Sequence, residues 1–233
     1  MAQSVGYPRS AAQNEELFSN ETFETLEEFD CVGAPVDFAT GEMLFREGQS
    51  CERVYVISSG RVKLWTNCRE GRKHIVAISR SGEVLGLAAA LAEGVYEATA
   101  EATGNCRVRV IRRESVLKLL EANPAACMRA MQAVIRDQSS LWLNLRRLSL
   151  PTSASGRVAG LLLDWVRKQT PAESAQGRCM IPLTHREIAS MSATTRESVT
   201  RIITRLKHEK VISVRGAALT VLKPQALEKF CGL

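Results

Sequence analysis

The chain has 233 residues with 31 Lys+Arg against 25 Asp+Glu, a formal net charge of +6 at neutral pH. Hydrophobic residues at 45% and charged residues at 24% exclude a disordered or fibrous chain and suit one or two globular cores. The charge is uneven: residues 151–233 carry 13 basic and 6 acidic side chains, a net of +7, while residues 1–150 come to −1. A positive excess confined to one end points to a polyanion partner there.

No stretch approaches the roughly 20 apolar residues of a membrane span, so no membrane partner is expected. Residues 1–14 are polar and lack the apolar core of a secretory signal. The seven cysteines, Cys31, Cys51, Cys68, Cys106, Cys127, Cys179 and Cys231, are dispersed and odd in number, which fits free thiols in a reducing cytoplasm. No C-x-x-C occurs, so local spacing supports neither a zinc site nor an iron–sulfur site, and no metal ligands are assigned.

Residues 15–30 hold Leu17, Phe18, Phe23, Leu26 and Phe29 among acidic residues, the pattern of a short amphipathic helix. From residue 32 to 113 the texture changes to strands. Val54-Tyr55-Val56-Ile57, Arg61-Val62-Lys63-Leu64-Trp65, His74-Ile75-Val76-Ala77-Ile78 and Val108-Arg109-Val110-Ile111 are separated by turns containing Gly60, Gly71, Gly82, Gly86, Gly94 and Gly104. Many short strands with turn residues between them predict an antiparallel barrel or roll.

Residues 114–150 form the next segment, dominated by a helix that Pro124 can open and Pro151 ends. Cys127, Met131, Val134, Gln138, Leu141, Leu145 and Leu148 recur at alternating intervals of four and three, a heptad seam interrupted by Gln138. Met128, Ile135 and Trp142 lie on an adjacent face. One stripe is expected to cover the roll and the other to meet the same helix of a second copy, giving a parallel homodimer with Gln138 fixing register.

Beyond a hinge at Pro151, Val158, Leu161, Leu162, Trp165 and Val166 mark another amphipathic helix, and residues 170–178 a polar loop. Thr184-His185-Arg186-Glu187 is a capping box, Ser192-Ala193-Thr194 a tight turn, and Thr195 the cap of a second helix. Burying Val199, Ile202, Ile203 and Leu206 leaves Arg196, Glu197, Thr200, Arg201 and Arg205 outward. Residues 211–221 then read as two strands around a glycine turn.

Together these form a helix-turn-helix with a wing. Arginine donates two bonds to guanine and glutamate accepts from cytosine, so Arg196, Glu197, Thr200 and Arg201 are the expected readers of base edges. Thr184, Thr195, Arg205, Lys207 and Arg215, with Lys210 beside them, are expected to hold phosphates. An amphipathic hairpin with a merely solvated face is the alternative, and capping box, turn, basic outer face and wing in sequence count against it. Double-stranded DNA is the expected partner.

The order of segments resembles the Crp–Fnr family of bacterial transcription regulators over about residues 37–223. The likeness rests on Gly41-Glu42-Met43-Leu44-Phe45-Arg46-Glu47-Gly48, Ser59-Gly60-Arg61-Val62-Lys63, Gly82-Glu83-Val84-Leu85-Gly86 and Arg196-Glu197-Ser198-Val199-Thr200-Arg201. It implies an α+β fold: an N-terminal tail and short helix (1–31), an antiparallel β-roll that senses an effector (32–113), a long dimerisation helix (114–150) and a winged helix-turn-helix (151–233). It further implies a homodimer on a palindromic TGTGA-like site. The loop at 170–178 is a candidate contact with RNA polymerase.

Relatives that bind cyclic AMP resemble one another in a Gly-Glu pair that holds the ribose and a later Arg-Ser/Thr pair that holds the phosphate. Here Leu87 follows Gly86, and Tyr96-Glu97-Ala98-Thr99 contains no arginine. A phosphate facing Glu97 without a cation is repelled, which argues against cyclic AMP. Leu85, Gly86, Leu87, Ala88, Glu97, Ala98 and Thr99 are the candidate pocket residues. They read equally as a site for an apolar small-molecule effector or as a pocket that is already filled. No cysteine precedes Cys31 for an iron–sulfur cluster, and no histidine lies in 86–91 for haem. A small-molecule-binding barrel or cupin-like metal enzyme is the alternative, but His74 alone cannot build a several-histidine site. No nucleotide-loop or nucleophile-elbow motif supports an enzyme.

Overall fold

The computed structural model describes residues 29, 32–67, 73–149, 153–167, 179–181, 183–215 and 218–231. The helix expected over 15–30 (Phe29 excepted), the hinge at Pro151, the loop 170–178 and the wing's turn at Gly216 lie outside them.

Among the described residues, eight strands build the first half: β1 (Ala34–Phe38), β2 (Met43–Phe45), β3 (Arg53–Ser59), β4 (Arg61–Asn67), β5 (Lys73–Arg80), β6 (Val84–Leu85), β7 (Thr99–Ala102) and β8 (Cys106–Arg112). They form two antiparallel four-stranded sheets, ordered β1-β8-β3-β6 and β2-β7-β4-β5. Between them lie Val54, Ile57, Val62, Val108 and Ile111, all nearly inaccessible, in one core that also buries Phe29. The β3–β4 turn depends on Gly60, at φ +89, where an added Cβ would stand 2.6 Å from the Asn105 carbonyl oxygen.

Alternation along β4 sends Val62 and Leu64 inward and leaves Lys63 and Trp65 on the outer face, where Lys63 pairs in register with Glu101. Trp65 is nevertheless only 6% exposed, because the C-terminal half covers it.

A short helix α1 (Leu87–Leu91) follows β6. The segment expected to centre on one long helix is two: α2 (Arg113–Ala122) and α3 (Pro124–Ser149). Asn123 between them is extended, and its Oδ1 accepts from the amides of Ala125 and Ala126 at 3.1 Å each, so α3 starts afresh with its own cap. Ala126 and Ala130 are buried on the roll. Cys127, Ala133 and Val134 pack beside them. Val134, expected in the dimer seam, therefore leans on the roll. Met131, Gln138, Leu141 and Leu145 are exposed, together with Met128, Ile135 and Trp142 of the neighbouring stripe.

The second half contains α4 (Ala154–Arg167), β9 (Cys179–Ile181), α5 (His185–Met191), α6 (Arg196–His208), β10 (Ile212–Arg215), β11 (Ala218–Val221) and α7 (Pro224–Cys231). Its sheet runs β10-β11-β9 and is antiparallel. The sequence reading found β10 and β11 but neither β9 nor α7. Leu162, Ile181, Ile188, Val199, Leu206 and Leu227 fill the second core.

Candidate nucleic-acid interface

α5 and α6 make the helix-turn-helix, and local chemistry fixes both starts. Thr184 caps α5: its hydroxyl accepts from the Glu187 amide at 3.2 Å, while the Thr184 amide donates to the Glu187 carboxylate at 2.8 Å. Thr195 caps α6 by accepting from the Ser198 amide at 3.2 Å. Between the helices Ala193 takes a left-handed φ of +46°, a strained conformation for a residue with a Cβ. Arg157, on α4, ties that turn down: its Nε donates to the Ser192 carbonyl at 2.9 Å and its Nη2 to the Ala193 carbonyl at 3.2 Å.

On α6, Val199, Ile203 and Leu206 are buried, and Arg196, Glu197, Thr200, Arg201 and Thr204 are exposed. All four residues expected to read bases thus share one outer face. Arg201 also donates to the Ser198 hydroxyl at 3.3 Å. Glu197 is held below the usual carboxylate range by its own backbone amide and the Thr195 hydroxyl, then by the charges of Arg196 and Arg201, so it is an acceptor at neutral pH.

The expected phosphate contacts divide. Thr184 and Thr195 are exposed, but their hydroxyls already serve the caps. Arg205 donates to Glu209 at 2.8 Å and stands 5.2 Å over the Phe230 ring, a pose turned toward α7. Lys207 and Lys210 are exposed, and Arg215 ends β10. One neighbour escaped the sequence reading: His185 Nδ1 lies 3.0 Å from the Thr200 hydroxyl. That hydroxyl also lies 2.9 Å from the Arg196 carbonyl, so when it donates there, a protonated Nδ1 can donate to it. The only available signal was that α5 and α6 must cross near their N-termini.

The roll's candidate pocket residues lie at different depths. Leu85, Leu87 and Thr99 are buried, Ala98 is half-buried, and Ala88 and Glu97 face the surface. Tyr96, the residue before Glu97, turns inward to stack on Phe45 with ring centroids 3.9 Å apart. Its hydroxyl donates to the Arg53 carbonyl at 2.7 Å and accepts from the Arg53 amide at 3.3 Å. Gly86, at φ +80, passes so near that an added Cβ would meet the Tyr96 ring at 2.9 Å. The Cys51 thiol donates to the Gly86 carbonyl at 3.4 Å, and burial pushes both this thiol and the Tyr96 hydroxyl up in pKa. Among the described residues no group of His, Cys, Asp and Glu is arranged to hold a metal ion, and no helix is long and apolar enough to cross a membrane.

A family model for a cyclic nucleotide-binding domain matches residues 35–123, and one for a Crp-like helix-turn-helix domain matches residues 156–230. The chain is 26% identical over 203 residues to the nitrogen fixation regulation protein FixK of Bradyrhizobium diazoefficiens, covering 87% of this chain and 84% of that protein. It is 27% identical to the transcriptional activatory protein AadR of Rhodopseudomonas palustris, covering 87% and 83%. It is 25% identical to a CRP-like cAMP-activated global transcriptional regulator of Mycobacterium tuberculosis, covering 84% and 87%. The solved structure of FixK2 from Bradyrhizobium japonicum shares the fold, with a TM-score of 0.76 at 22% identity over 85% of this chain and 97% of that one. With a roll of the cyclic-nucleotide-binding type and a Crp-like helix-turn-helix in tandem, the chain belongs to the Crp–Fnr family, whose members are DNA-binding transcription regulators and not enzymes.

Proposed function

We propose that the protein acts in the cytoplasm as a homodimer on a palindromic TGTGA-like site, with one α6 in each of two successive major grooves. The observation that carries this reading is the outer face of α6. Arg196, Glu197, Thr200 and Arg201 are exposed together on a capped helix whose opposite face is core. Their donors and acceptors suit guanine and cytosine edges, while Lys207, Lys210 and Arg215 supply attraction for the backbone.

Dimerisation rests on α3. Met128, Met131, Ile135, Gln138, Trp142 and Leu145 follow one another at intervals of three and four and are all exposed. An apolar row of this size on one helix is costly in water and suits a second α3 lying parallel to it. Two-fold symmetry then sets the half-sites about one helical turn apart. Sedimentation equilibrium at micromolar concentration tests the dimer.

No cyclic nucleotide is needed in this reading. A relative from Mycobacterium tuberculosis is named as cAMP-activated, but here Tyr96 turns into the roll, Glu97 faces outward, and Tyr96-Glu97-Ala98-Thr99 contains no arginine to hold a phosphate. We assign the contact with RNA polymerase to residues 170–178, on their position between α4 and β9.

A mobility-shift titration on the palindrome and on a scrambled duplex tests the reading. Arg196→Ala or Arg201→Ala should cost about 1–3 kcal/mol per half-site on the palindrome and little on the scrambled duplex. Equal weakening on both would make these arginines phosphate contacts. Tenfold tighter binding on adding cyclic AMP would overturn the effector-free reading.

A further inference from the structure

Strand β5 is an edge of its sheet, so some of its backbone groups have no strand beside them. The second half of the protein supplies the missing partners. Ser190, on α5, accepts from the Ile75 amide at 2.8 Å and donates to the Lys73 carbonyl at 3.0 Å, so one hydroxyl satisfies two ladder groups. Asn144, on α3, donates to the Val76 carbonyl at 3.4 Å, at the residue where the β4–β5 register shifts.

Side chains continue the contact. Trp65 and Ile75, paired across β4 and β5, are 6% and 7% exposed because they belong to the second core. The Trp65 indole N–H donates to Glu101 at 3.0 Å and the Lys73 ammonium stands 3.8 Å over the ring, which fixes the ring's orientation. Arg80, at the far end of β5, stacks 4.2 Å over Trp165 of α4. Arg147, near the end of α3, is 9% exposed and binds Asp164 of α4 at 2.7 Å. The sheet edge, α3 and the helix-turn-helix therefore meet through side chains that are specific in direction, not through a smooth apolar patch.

This docking leaves the DNA face open. Ser190 meets the roll, while Arg196, Glu197, Thr200 and Arg201 remain exposed. A contact that blocked DNA would cover those residues.

We propose that the β5 edge is a positioning surface for the helix-turn-helix, and that Ser190 and Arg80 determine which half-site spacing the protein accepts. The roll and α3 carry the dimer axis, so fixing α5 against β5 fixes the distance between the two α6 helices. With the roll filled by Tyr96, this edge holds the pose without an effector. The inference rests on the homodimeric, palindromic reading above.

The test uses the full chain as wild type, Ser190→Ala, Arg80→Ala and the double variant. DNA affinity is measured on palindromes whose half-site separation is one helical turn and is then changed by about one or two base pairs either way. Wild type should show one sharp optimum. The double variant should lose on the order of tenfold at that optimum and less at the flanking spacings, giving a flatter profile. Ser190→Thr, which keeps the hydroxyl, should restore the sharpness.

Ser190→Ala places a good helix former at an already helical position, and amide exchange at Ile75 in the folded variant should accelerate. Uniform loss at every spacing, tighter binding, or a variant profile that superimposes on wild type would overturn the positioning role. A wild type that binds the palindrome with a flat spacing profile would also sink it. A wild type with no preference for the palindrome over scrambled DNA would instead sink the reading on which it rests.

Discussion

In the roll, the segment where relatives that bind cyclic AMP hold their ligand turns an aromatic ring inward and satisfies that ring's hydroxyl on the Arg53 backbone. On α6, four polar or charged side chains point to water on one face, their helix anchored by three apolar residues behind them. The first region buries its polar atoms and pairs them within the chain, whereas the second keeps its side chains at the surface, where short local bonds such as Arg201 to Ser198 leave donors and acceptors facing water. Burial makes the difference: a polar atom inside must find a partner in the chain, whereas one at the surface exchanges water for DNA at little cost. The inward ring of the roll therefore adds to stability, and the exposed face of the helix-turn-helix is available to a partner.

The largest effect that tests this contrast comes from Tyr96. It is 3% exposed and stacked, so Tyr96→Ala should destabilise the folded protein by about 3–5 kcal/mol, read as a lower urea midpoint at unchanged slope. Tyr96→Phe keeps the stack, removes the hydroxyl's bonds to the Arg53 backbone and should cost about 1 kcal/mol. A Tyr96→Ala protein as stable as wild type would show that the interior is loosely filled and able to admit a ligand. The contrast with α6 would then fail.

A smaller effect separates the caps from the DNA face. Thr184→Ala removes a hydroxyl that accepts from the Glu187 amide and should cost about 1 kcal/mol in thermal or urea unfolding. The salt dependence of DNA binding should stay unchanged, since no charge is lost. A large loss of DNA affinity without a loss of stability would place Thr184 on a phosphate in preference to its cap.

What was legible in the sequence follows the range of the interactions. Thr184, Glu187 and Thr195 act over three residues, so spacing alone placed both helix starts, and the 199/203/206 spacing placed the buried face of α6. Four strands of the roll, β3, β4, β5 and β8, were legible as short runs between glycine turns, whereas β1, β2, β6 and β7 were not read. Nothing local could say that Ser190, 115 positions beyond Ile75, would bond the edge of β5, or that Trp65 would join the second core. The Phe45–Tyr96 stack likewise joins distant segments. Asn123-Pro124 did carry a local signal, a capping side chain before a first-turn proline, and it divides what reads as one helical segment. Val134 fell in a regular heptad, yet α3 serves two surfaces at once, and its position facing the roll depends on where the roll lies.

The smallest effect concerns the outer face that Trp65 shares with Glu101. Burial alone would raise the Glu101 pKa, but the hydrogen bond from Lys63 at 2.8 Å, the charges of Lys63 and Lys73 and the Trp65 N–H together lower it. A carboxylate whose folded pKa is depressed adds stability above its unfolded value, about 4.3 for glutamate, and loses it as pH falls through the folded value. Glu101→Gln should therefore melt below wild type at pH 7. The gap should narrow as the pH drops below about 4. Lys63 and Glu101 are each under one-fifth exposed, so the difference at neutral pH should exceed that of the Arg107–Asp37 pair, whose side chains are 61% and 70% exposed. If Glu101→Gln and Asp37→Asn shift the melting temperature equally, the outer face of the roll is an ordinary solvated surface, and its order owes nothing to the helix-turn-helix docked beside it.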